Sequence, residues 1–346
     1  MTTTHEASAP RRAVVVHRGA GGITVSCDLL PTPPLAADAV RVRPDYVGIC
    51  GSDLEQIFGV MDPGFEVEFP HVLGHEWAGV VLEAGPRVSR FRPGDRVIGH
   101  GSLGGNIWFG VSTDGAMADN FTVPETMCFA VPPAVSSLRA ALVEPLACCL
   151  QGLRTAGGAD AGHTVAVFGC GAIGLSMVGL ARSLGARVVA VDPSGERLRI
   201  AGALGADHCV QVTDDEDTAA SVLRALGGRG ADLVVEASGA PSAQAAVFDV
   251  TARDARLMFM GLSHRRSAQV SLHQIQNHNL RVLSSTGAPP HIWEPALRLL
   301  DRTGLDLEPL VSDVFAFEDC AAALSAARDS ARHAKVMLSP DGGRRT

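Results

Sequence analysis

The order of a strand, a glycine turn, a helix and a second strand between residues 164 and 192 constrains the fold of this chain most strongly. The apolar, β-branched run Thr164–Phe168 predicts a buried strand. A Gly-x-Gly-x-x-Gly pattern follows it, and the next residues place apolar side chains on one helical face. A second apolar strand, residues 187–191, ends in Asp192. Together these segments predict a βαβ unit of a parallel sheet, the setting in which a glycine pattern of this kind has meaning.

Each glycine of the pattern has a separate task in such a unit. Gly169 permits a tight turn, Gly171 lets the backbone approach a pyrophosphate, and Gly174 lets the helix pack closely on the strand. The backbone N–H groups at the start of the helix, at Ala172 and Ile173, would meet the anion. The turn therefore predicts a dinucleotide site.

The acid at the end of the second strand indicates which dinucleotide binds. Asp192 lies about 18 residues after Gly174, close to the spacing at which an acid accepts hydrogen bonds from a ribose diol. Its charge would repel a 2′-phosphate, which favours NAD over NADP. Arg197 is near enough in sequence to reach the adenosine side of the cofactor, or it is a solvated helix arginine. The alternative is a turn without a cofactor, in which Asp192 only caps a helix.

Composition limits the remaining possibilities. A chain of 346 residues predicts two domains, and its net charge of -8 argues against binding nucleic acid or an anionic membrane. The eight cysteines have no regular spacing and predict no disulfide framework, so we expect a cytoplasmic protein. No apolar run approaches the ~18 residues of a membrane span.

The pattern of predicted strands changes along the chain. Short β-rich runs separated by Gly and Pro predict an antiparallel or barrel-like first domain, with strands at 13–17, 39–44, 79–83, 96–99 and 121–123. Residues 134–153 predict one helix that leads into a domain of alternating strands and helices, with strands at 164–168, 187–191, 208–212, 232–236, 256–260 and 280–284. Helices at 294–300 and 317–329 and a strand at 334–338 complete the chain. We expect residues 1–147 and 288–346 to form the first domain and residues 148–287 the cofactor domain.

The first part of the chain carries residues typical of a metal site. Cys50, His75 and two glutamates, Glu76 and Glu144, have side chains that bind zinc. A catalytic zinc has three protein ligands and one open position. Each of these residues alone has an ordinary structural explanation, so only their combination predicts a metal centre.

The order of the motifs resembles a known superfamily. These motifs are Cys50 to Asp53, Pro70 followed by Gly74 to Glu76, Gly94 to Val97, Glu144 to Leu146, and the glycine pattern. The order is similar to that of the zinc-dependent medium-chain dehydrogenases and reductases, especially polyol dehydrogenases such as sorbitol dehydrogenase, and aminocyclitol dehydrogenases. The resemblance covers about residues 13–338 and implies an α/β fold, with a GroES-like β-rich catalytic domain and a Rossmann domain with a doubly wound parallel sheet.

The resemblance implies a role for each matching residue. Cys50 and His75 would bind the catalytic zinc. Glu76 is the third ligand in the polyol branch, whereas Glu144 stands where alcohol dehydrogenases place their second cysteine, so the third ligand stays open. Relatives that hold a second, structural zinc bind it with four close cysteines, and this chain has no cysteine between Gly51 and Met127. We therefore expect one catalytic zinc and no structural zinc.

The resemblance also implies a path for the substrate proton. Ser52 would take the proton from the substrate hydroxyl, and Asp53 would accept a hydrogen bond from His75 and fix its tautomer. Relatives usually have a histidine just after this motif to carry the proton outward. Here the residues are Leu54 and Glu55. Glu55 is a candidate for the relay, with water or the cofactor ribose as alternatives.

The implied activity is zinc-dependent, NAD-linked interconversion of a secondary alcohol and its ketone, with a polyol or cyclitol as substrate class. A homodimer or homotetramer is expected, and the predicted edge strand near residues 280–285 is a candidate for pairing between copies. One alternative is a zinc-free NADPH-dependent quinone or enone reductase, against which Asp192 and the Cys–His set argue. The other is an NAD-binding sensor or structural protein without turnover.

Overall fold

The computed structural model describes residues 9–58, 67–105, 107–262, 267 and 270–342. The chain folds as two compact units. The first comprises Met1–Leu142, Asp313–Arg328 and Val336–Thr346, and the second comprises Val143–Ser312 and Asp329–Lys335. In the described residues no helix has the length and apolar character needed to cross a membrane.

The first unit is built mainly from short strands. Its strands are β1 (Arg11–Gly19), β2 (Gly22–Leu30), β3 (Ala39–Gly48), β4 (His71–Val72), β5 (Glu76–Ala84), β6 (Arg96–Gly99), β7 (Ser102–Gly104), β8 (Ile107–Trp108), β9 (Phe121–Pro124) and β10 (Cys128–Ala130). Its helices are α1 (Gly51–Phe58) and α2 (Ser137–Ala141), with α10 (Cys320–Arg328) from the C-terminal part. Strands β17 (Val311–Ala316) and β18 (Lys335–Ser339) also join its larger sheet.

Two sheets enclose the core of the first unit. The smaller has the order β2-β1-β4, and the larger has the order β10-β6-β5-β3-β18-β17, with β9 paired to β3. The pairs β3–β5, β3–β9 and β5–β6 are antiparallel, as the short, turn-separated runs predict. Trp77 is buried in this core, 4.8 Å from the ring of Phe121 and 6.4 Å from that of Phe109.

The second unit alternates helices and strands. In chain order these are α3 (Val143–Thr155), β11 (Thr164–Phe168), α4 (Ala172–Ser183), β12 (Arg187–Asp192), α5 (Gly195–Ala203), β13 (His208–Gln211), α6 (Thr218–Ala225), β14 (Ala231–Glu236), α7 (Pro241–Ala246), β15 (Thr251–Phe259), α8 (Leu272–Asn277), β16 (Arg281–Ser284) and α9 (Trp293–Thr303).

Within the described residues, the strands of the second unit form one six-stranded parallel sheet. Its order is β13-β12-β11-β14-β15-β16, so the direction of winding reverses between β11 and β14. This is the order of the doubly wound fold, in which a dinucleotide crosses the carboxyl ends of the strands at the reversal. The strands β11, β12 and β14 are almost fully buried, because helices cover both faces of a parallel sheet. The predicted Rossmann architecture is therefore confirmed.

One predicted helix and the division into domains differ from the expectation. The predicted helix over 134–153 is wrong, because the structure has two helices, α2 and α3, separated at Leu142. Pro145 has no backbone N–H to donate to Ala141, and its ring excludes a continuous helix there. Residues 143–147, 288–312 and 329–335 belong to the second unit rather than to the first. Helix α9 packs on α3, which accounts for the largest of these differences.

Candidate active site

The first unit brings three metal-binding side chains together. One ligand atom from each of Cys50, His75 and Glu76 lies within 4.8 Å of the other two. Cys50 stands between the end of β3 and the start of α1, and Glu76 is the first residue of β5. The antiparallel pairing of β3 with β5 places Gly48 opposite Glu76, and so brings the two segments to one end of the sheet.

Two glycines make room for this cluster. A Cβ on Gly48 would lie 2.2 Å from Oε2 of Glu76, whose side chain is buried, so only glycine leaves space for the carboxylate. Gly74 has a φ of 104°, in the region that favours glycine, and a Cβ there would lie 2.8 Å from side-chain atoms of Met117 and Val47. The turn before His75 is therefore closely packed.

Asp53 fixes the geometry behind the cluster. Its side chain is fully buried, and its Oδ2 accepts a hydrogen bond from the backbone N–H of Cys50 at 2.8 Å. Its Oδ1 lies 3.5 Å from Nδ1 of His75. On the other side of the ring, Oγ of Ser52 lies 3.5 Å from Nε2 of His75. Nδ1 of the imidazole therefore faces the Asp53 carboxylate, and Nε2 faces the hydroxyl of Ser52, the predicted acceptor of the substrate proton.

The groups around His75 favour the positively charged form of its imidazole. Burial of the ring acts against its protonation, but the charges and hydrogen bonds of the Asp53 carboxylate and the Cys50 sulfur outweigh burial and hold the pKa of His75 well above its usual value. A thiol, an imidazole and a carboxylate are also a donor set that zinc prefers. The residues present thus fit a zinc ion.

Two predicted residues lie outside this cluster. Glu55 is half-buried on α1, one turn after Ser52, and its role in a proton relay stays a prediction. Glu144 lies in the first turn of α3, in the second unit, where its Oε1 accepts a hydrogen bond from Sγ of Cys148 at 3.4 Å. Its role as a zinc ligand likewise stays a prediction.

The three glycines of the turn in the second unit differ in the space around them. Gly169 has a φ of 91°, and a Cβ there would lie 2.7 Å from Cβ of Ser238. Gly171 caps the N-terminus of α4, and a Cβ on it would meet no described atom within 4 Å. A Cβ on Gly174 would lie 1.7 Å from the carbonyl oxygen of Gly169. The helix packs closely on the turn, and the backbone at Gly171 is open for a ligand.

The first turn of α4 supplies the donors next to this open backbone. Ala172 and Ile173 are half-buried and begin the helix, and the first four N–H groups of a helix have no partner inside it. The positive end of the helix dipole adds to their attraction for an anion. The arrangement suits a pyrophosphate.

Asp192 is held at the end of β12 by backbone donors. Its Oδ2 accepts from the N–H of Cys170 at 2.7 Å and its Oδ1 from the N–H of Ser194 at 2.8 Å. The N-cap of α5 is Ser194, so Asp192 is not the helix cap that the alternative required. Arg197 donates from Nη2 to the backbone oxygen of His333 at 3.0 Å, and a cofactor contact by this side chain stays a prediction.

Sequence reasoning missed Glu236 at the carboxyl end of β14. Its side chain is fully buried and accepts hydrogen bonds from the two residues Ser238 and Gly239. The signal was available, because an apolar run that ends in an acid and leads to a glycine also describes β12 and Asp192. Only the folded sheet shows that this acid adjoins the glycine turn.

Comparison with known proteins assigns both units to alcohol dehydrogenases. The family model "Alcohol dehydrogenase GroES-like domain" matches residues 36–133, and "Zinc-binding dehydrogenase" matches residues 172–302. A 2-dehydro-3-deoxy-L-galactonate 5-dehydrogenase of Pseudoalteromonas atlantica is 30% identical over 305 residues, which are 84% of this chain and 88% of that protein. The chain belongs to the zinc-binding alcohol dehydrogenase family.

Other relatives extend the similarity over nearly the whole chain. Sorbitol dehydrogenase of Gallus gallus is 30% identical over 351 residues, covering 95% of this chain and 96% of that protein. A structure of a Sinorhizobium meliloti protein bound to NADP has a TM-score of 0.88 and 26% identity, and covers 96% of this chain and 100% of that one. The predicted superfamily, the fold class and the assignment as an alcohol dehydrogenase enzyme are confirmed.

Proposed function

We propose that this enzyme uses NAD and a zinc ion to interconvert a secondary alcohol of a polyol or cyclitol and its ketone. The cluster of Cys50, His75 and Glu76 carries the proposal, because it unites three zinc-binding atoms within 4.8 Å, on one half-buried and two buried residues. The named relatives act on sorbitol and on a sugar-acid derivative, both of which are polyhydroxylated. These names support the substrate class.

One catalytic zinc would be held by these three side chains. A bound zinc ion supplies Lewis-acid polarisation that lowers the pKa of an alcohol hydroxyl. We propose Glu76 as the third ligand, since its carboxylate lies with the other two ligand atoms. Glu144 is the alternative that the resemblance leaves open. No structural zinc is proposed, because the segment that carries its four cysteines in relatives has no cysteine here.

Ser52 would accept the substrate proton, and Asp53 would orient the imidazole ring of His75. Asp53 lies on the Nδ1 side of His75 and favours the tautomer with hydrogen on Nδ1, which leaves the Nε2 lone pair free for a ligand bond. Ser52 Oγ, close to Nε2, is placed to accept the hydroxyl proton of a substrate bound beside the cluster. Glu55, one helical turn farther along α1, or water would carry the proton onward.

The second unit would bind the dinucleotide across the carboxyl ends of its strands. The N–H groups of Ala172 and Ile173 would bind the pyrophosphate, and Asp192 would accept hydrogen bonds from the adenosine ribose. A bound nicotinamide supplies the hydride acceptor for oxidation and the donor for reduction. The carboxylate of Asp192 disfavours a 2′-phosphate, and we therefore propose NAD, although the Sinorhizobium meliloti relative binds NADP.

We also propose a homodimer or homotetramer in the cytoplasm. Strand β16 is the last strand of its sheet, and its residues Arg281, Val282 and Ser284 are exposed, so its edge is open to a second copy. All eight cysteines are free thiols, in keeping with a reducing compartment.

The experiment is a spectrophotometric screen at the absorbance of NADH, with NAD or NADP and a panel of polyols, inositols and aminocyclitols. We expect NAD-linked turnover of at least one polyol or cyclitol. The Cys50→Ser variant should lose turnover while still binding NADH, and Cys209→Ser, which changes an exposed cysteine, should keep both. Full activity in the Cys50→Ser variant would disprove the zinc mechanism. NADH binding without turnover on any substrate would favour a non-catalytic protein.

A further inference from the structure

A buried carboxylate lies at the end of β14. Oε1 of Glu236 accepts three hydrogen bonds, from the backbone N–H of Ser238 at 2.8 Å, from its Oγ–H at 2.5 Å and from the N–H of Gly239 at 3.0 Å. The side chain is fully buried. Hydrogen bonds to a charged acceptor in a buried setting are strong. The carboxylate therefore fixes the turn formed by residues 237–239.

This turn packs directly against the glycine turn. The N–H of Ala237 donates to the carbonyl oxygen of Phe168 at 2.8 Å. A Cβ on Gly169 would lie 2.7 Å from Cβ of Ser238 and 2.8 Å from its backbone nitrogen. The position of Ser238 thus sets one wall of the turn that precedes α4.

The loop after β15 contacts Glu236 at both its backbone oxygen and its carboxylate. The N–H groups of Met260 and Gly261 donate to the backbone oxygen of Glu236 at 2.8 and 2.9 Å. A Cβ on Gly261 would lie 2.8 Å from Oε2 of Glu236, and a Cβ on Gly239 would lie 2.0 Å from the backbone oxygen of Leu262. The loop after β15 therefore contacts Glu236, and the turn that Glu236 holds packs on the glycine turn after β11.

The position of this meeting point indicates which part of a dinucleotide it serves. The strand order reverses between β11 and β14. Asp192 is the last residue of β12 and would face the adenosine of a bound dinucleotide, while the glycine turn follows β11 and would take its pyrophosphate. The remaining half of the dinucleotide crosses to the ends of β14 and β15, because the ligand spans the reversal point.

We propose that Glu236 is a positioning residue for the nicotinamide half of the cofactor. Its carboxylate holds the Ser238–Gly239 turn at the reversal point, so that this turn and the glycine turn keep the spacing that the cofactor needs. The inference rests on the proposed binding of a nicotinamide dinucleotide in the second unit. It assigns Glu236 no contact with the reacting atoms.

The test compares two ligands, NADH and AMP, on the full-length protein. AMP contains only the adenosine half and one phosphate, so it contacts the side of the site next to Asp192. The Glu236→Ala variant should bind NADH about tenfold more weakly, because the turn loses its acceptor, and should bind AMP within about twofold of the wild type. Glu236→Gln keeps an oxygen at Oε1 and should stay within about threefold for NADH. NADH fluorescence and AMP competition measure these constants.

A milder variant, Ser238→Ala, and the NADH affinity of the wild-type protein complete the test. Ser238→Ala removes one donor only, and should weaken NADH in the same direction by a smaller factor, even where Glu236→Ala does not fold. Normal NADH affinity in both variants, or an equal loss of AMP and NADH affinity, would overturn the positioning role. A wild-type protein that binds no NADH would instead contradict the proposed function, and this is measured before any variant.

Discussion

Replacing Gly171 by alanine should weaken the cofactor without harming the fold. Gly171 has a φ of -75° and a ψ of -170°, which any residue adopts, and an added Cβ meets no described atom within 4 Å. A methyl group there occupies the space through which a pyrophosphate would approach the backbone. We expect NADH affinity to fall at least about tenfold, equivalent to ~1.4 kcal/mol. Stability should stay the same or rise by about 0.4–1 kcal/mol, since alanine restricts the unfolded chain.

The neighbouring Gly174→Ala variant should behave in the opposite way. Its Cβ would lie 1.7 Å from the carbonyl oxygen of Gly169 and 2.8 Å from the carbonyl carbon. Both are backbone atoms, so α4 or the turn must shift. Overpacking of this kind costs about 1–3 kcal/mol or more. We expect a lower melting temperature, and weaker NADH binding only as a consequence of the displaced turn.

Thermal unfolding and NADH fluorescence titration of both variants separate the two effects. Gly202→Ala serves as the matched control, because Gly202 is an exposed residue of α5 with no described atom within 4 Å of an added Cβ. It should leave NADH affinity unchanged. Wild-type NADH affinity in Gly171→Ala, or equal destabilisation by Gly171→Ala and Gly174→Ala, would refute the reasoning.

Three more changes test other parts of the molecule. Cys50→Ser should release the zinc and lower kcat at least about a hundredfold with NADH affinity unchanged. Metal analysis and kinetics measure these effects, with Cys209→Ser as the control. Asp192→Asn keeps an acceptor oxygen but loses the charge, so the ratio of kcat/KM for NAD over NADP should fall about tenfold; an unchanged ratio contradicts the assignment. Burial lowers the pKa of His100 in the folded protein. Below the unfolded pKa of about 6.5 the unfolded chain therefore binds a proton more readily than the folded protein, and stability is lost as pH falls. His100→Gln should flatten the loss of melting temperature between about pH 7 and pH 5, unlike the exposed control His291→Gln, and equal slopes would count against this origin.

The sequence was most informative for the second unit. Strands buried on both faces produce continuous apolar runs, and the predicted strand at 164–168 has the bounds that the structure shows for β11. Strand β15 begins at Thr251 rather than at residue 256. Its first residues include the exposed Arg253 and Asp254, and Asp254 has a φ of 63° within a register shift against β14, so no apolar pattern marks them.

The first unit was harder to predict. Strand β2 was missed, because its residues are half-buried or exposed and only pairing with β1 defines it. The predicted helix through Leu142 neglected Pro145, although this residue was visible in the sequence. Local patterns in this unit are weak, since short strands at the surface bury only one face.

Motifs predicted which residues form the candidate site, whereas strand register brings them together. Cys50 and His75 were predicted from their motifs as metal ligands, and the structure places them with Glu76, while their role as ligands stays a prediction. The opposition of Gly48 and Glu76 follows from the pairing of β3 with β5, which no local pattern specifies. The same holds for Glu236, whose importance depends on the adjacency of β11 and β14.

Metal analysis of the purified enzyme, combined with activity before and after chelation, tests the central claim most directly. The account predicts about one zinc per chain, loss of alcohol oxidation when the zinc is removed, and recovery when zinc is returned. NADH binding should persist throughout, because the cofactor site lies in the second unit. Full alcohol oxidation by a zinc-free protein would contradict the assignment of Cys50, His75 and Glu76 as a catalytic metal centre.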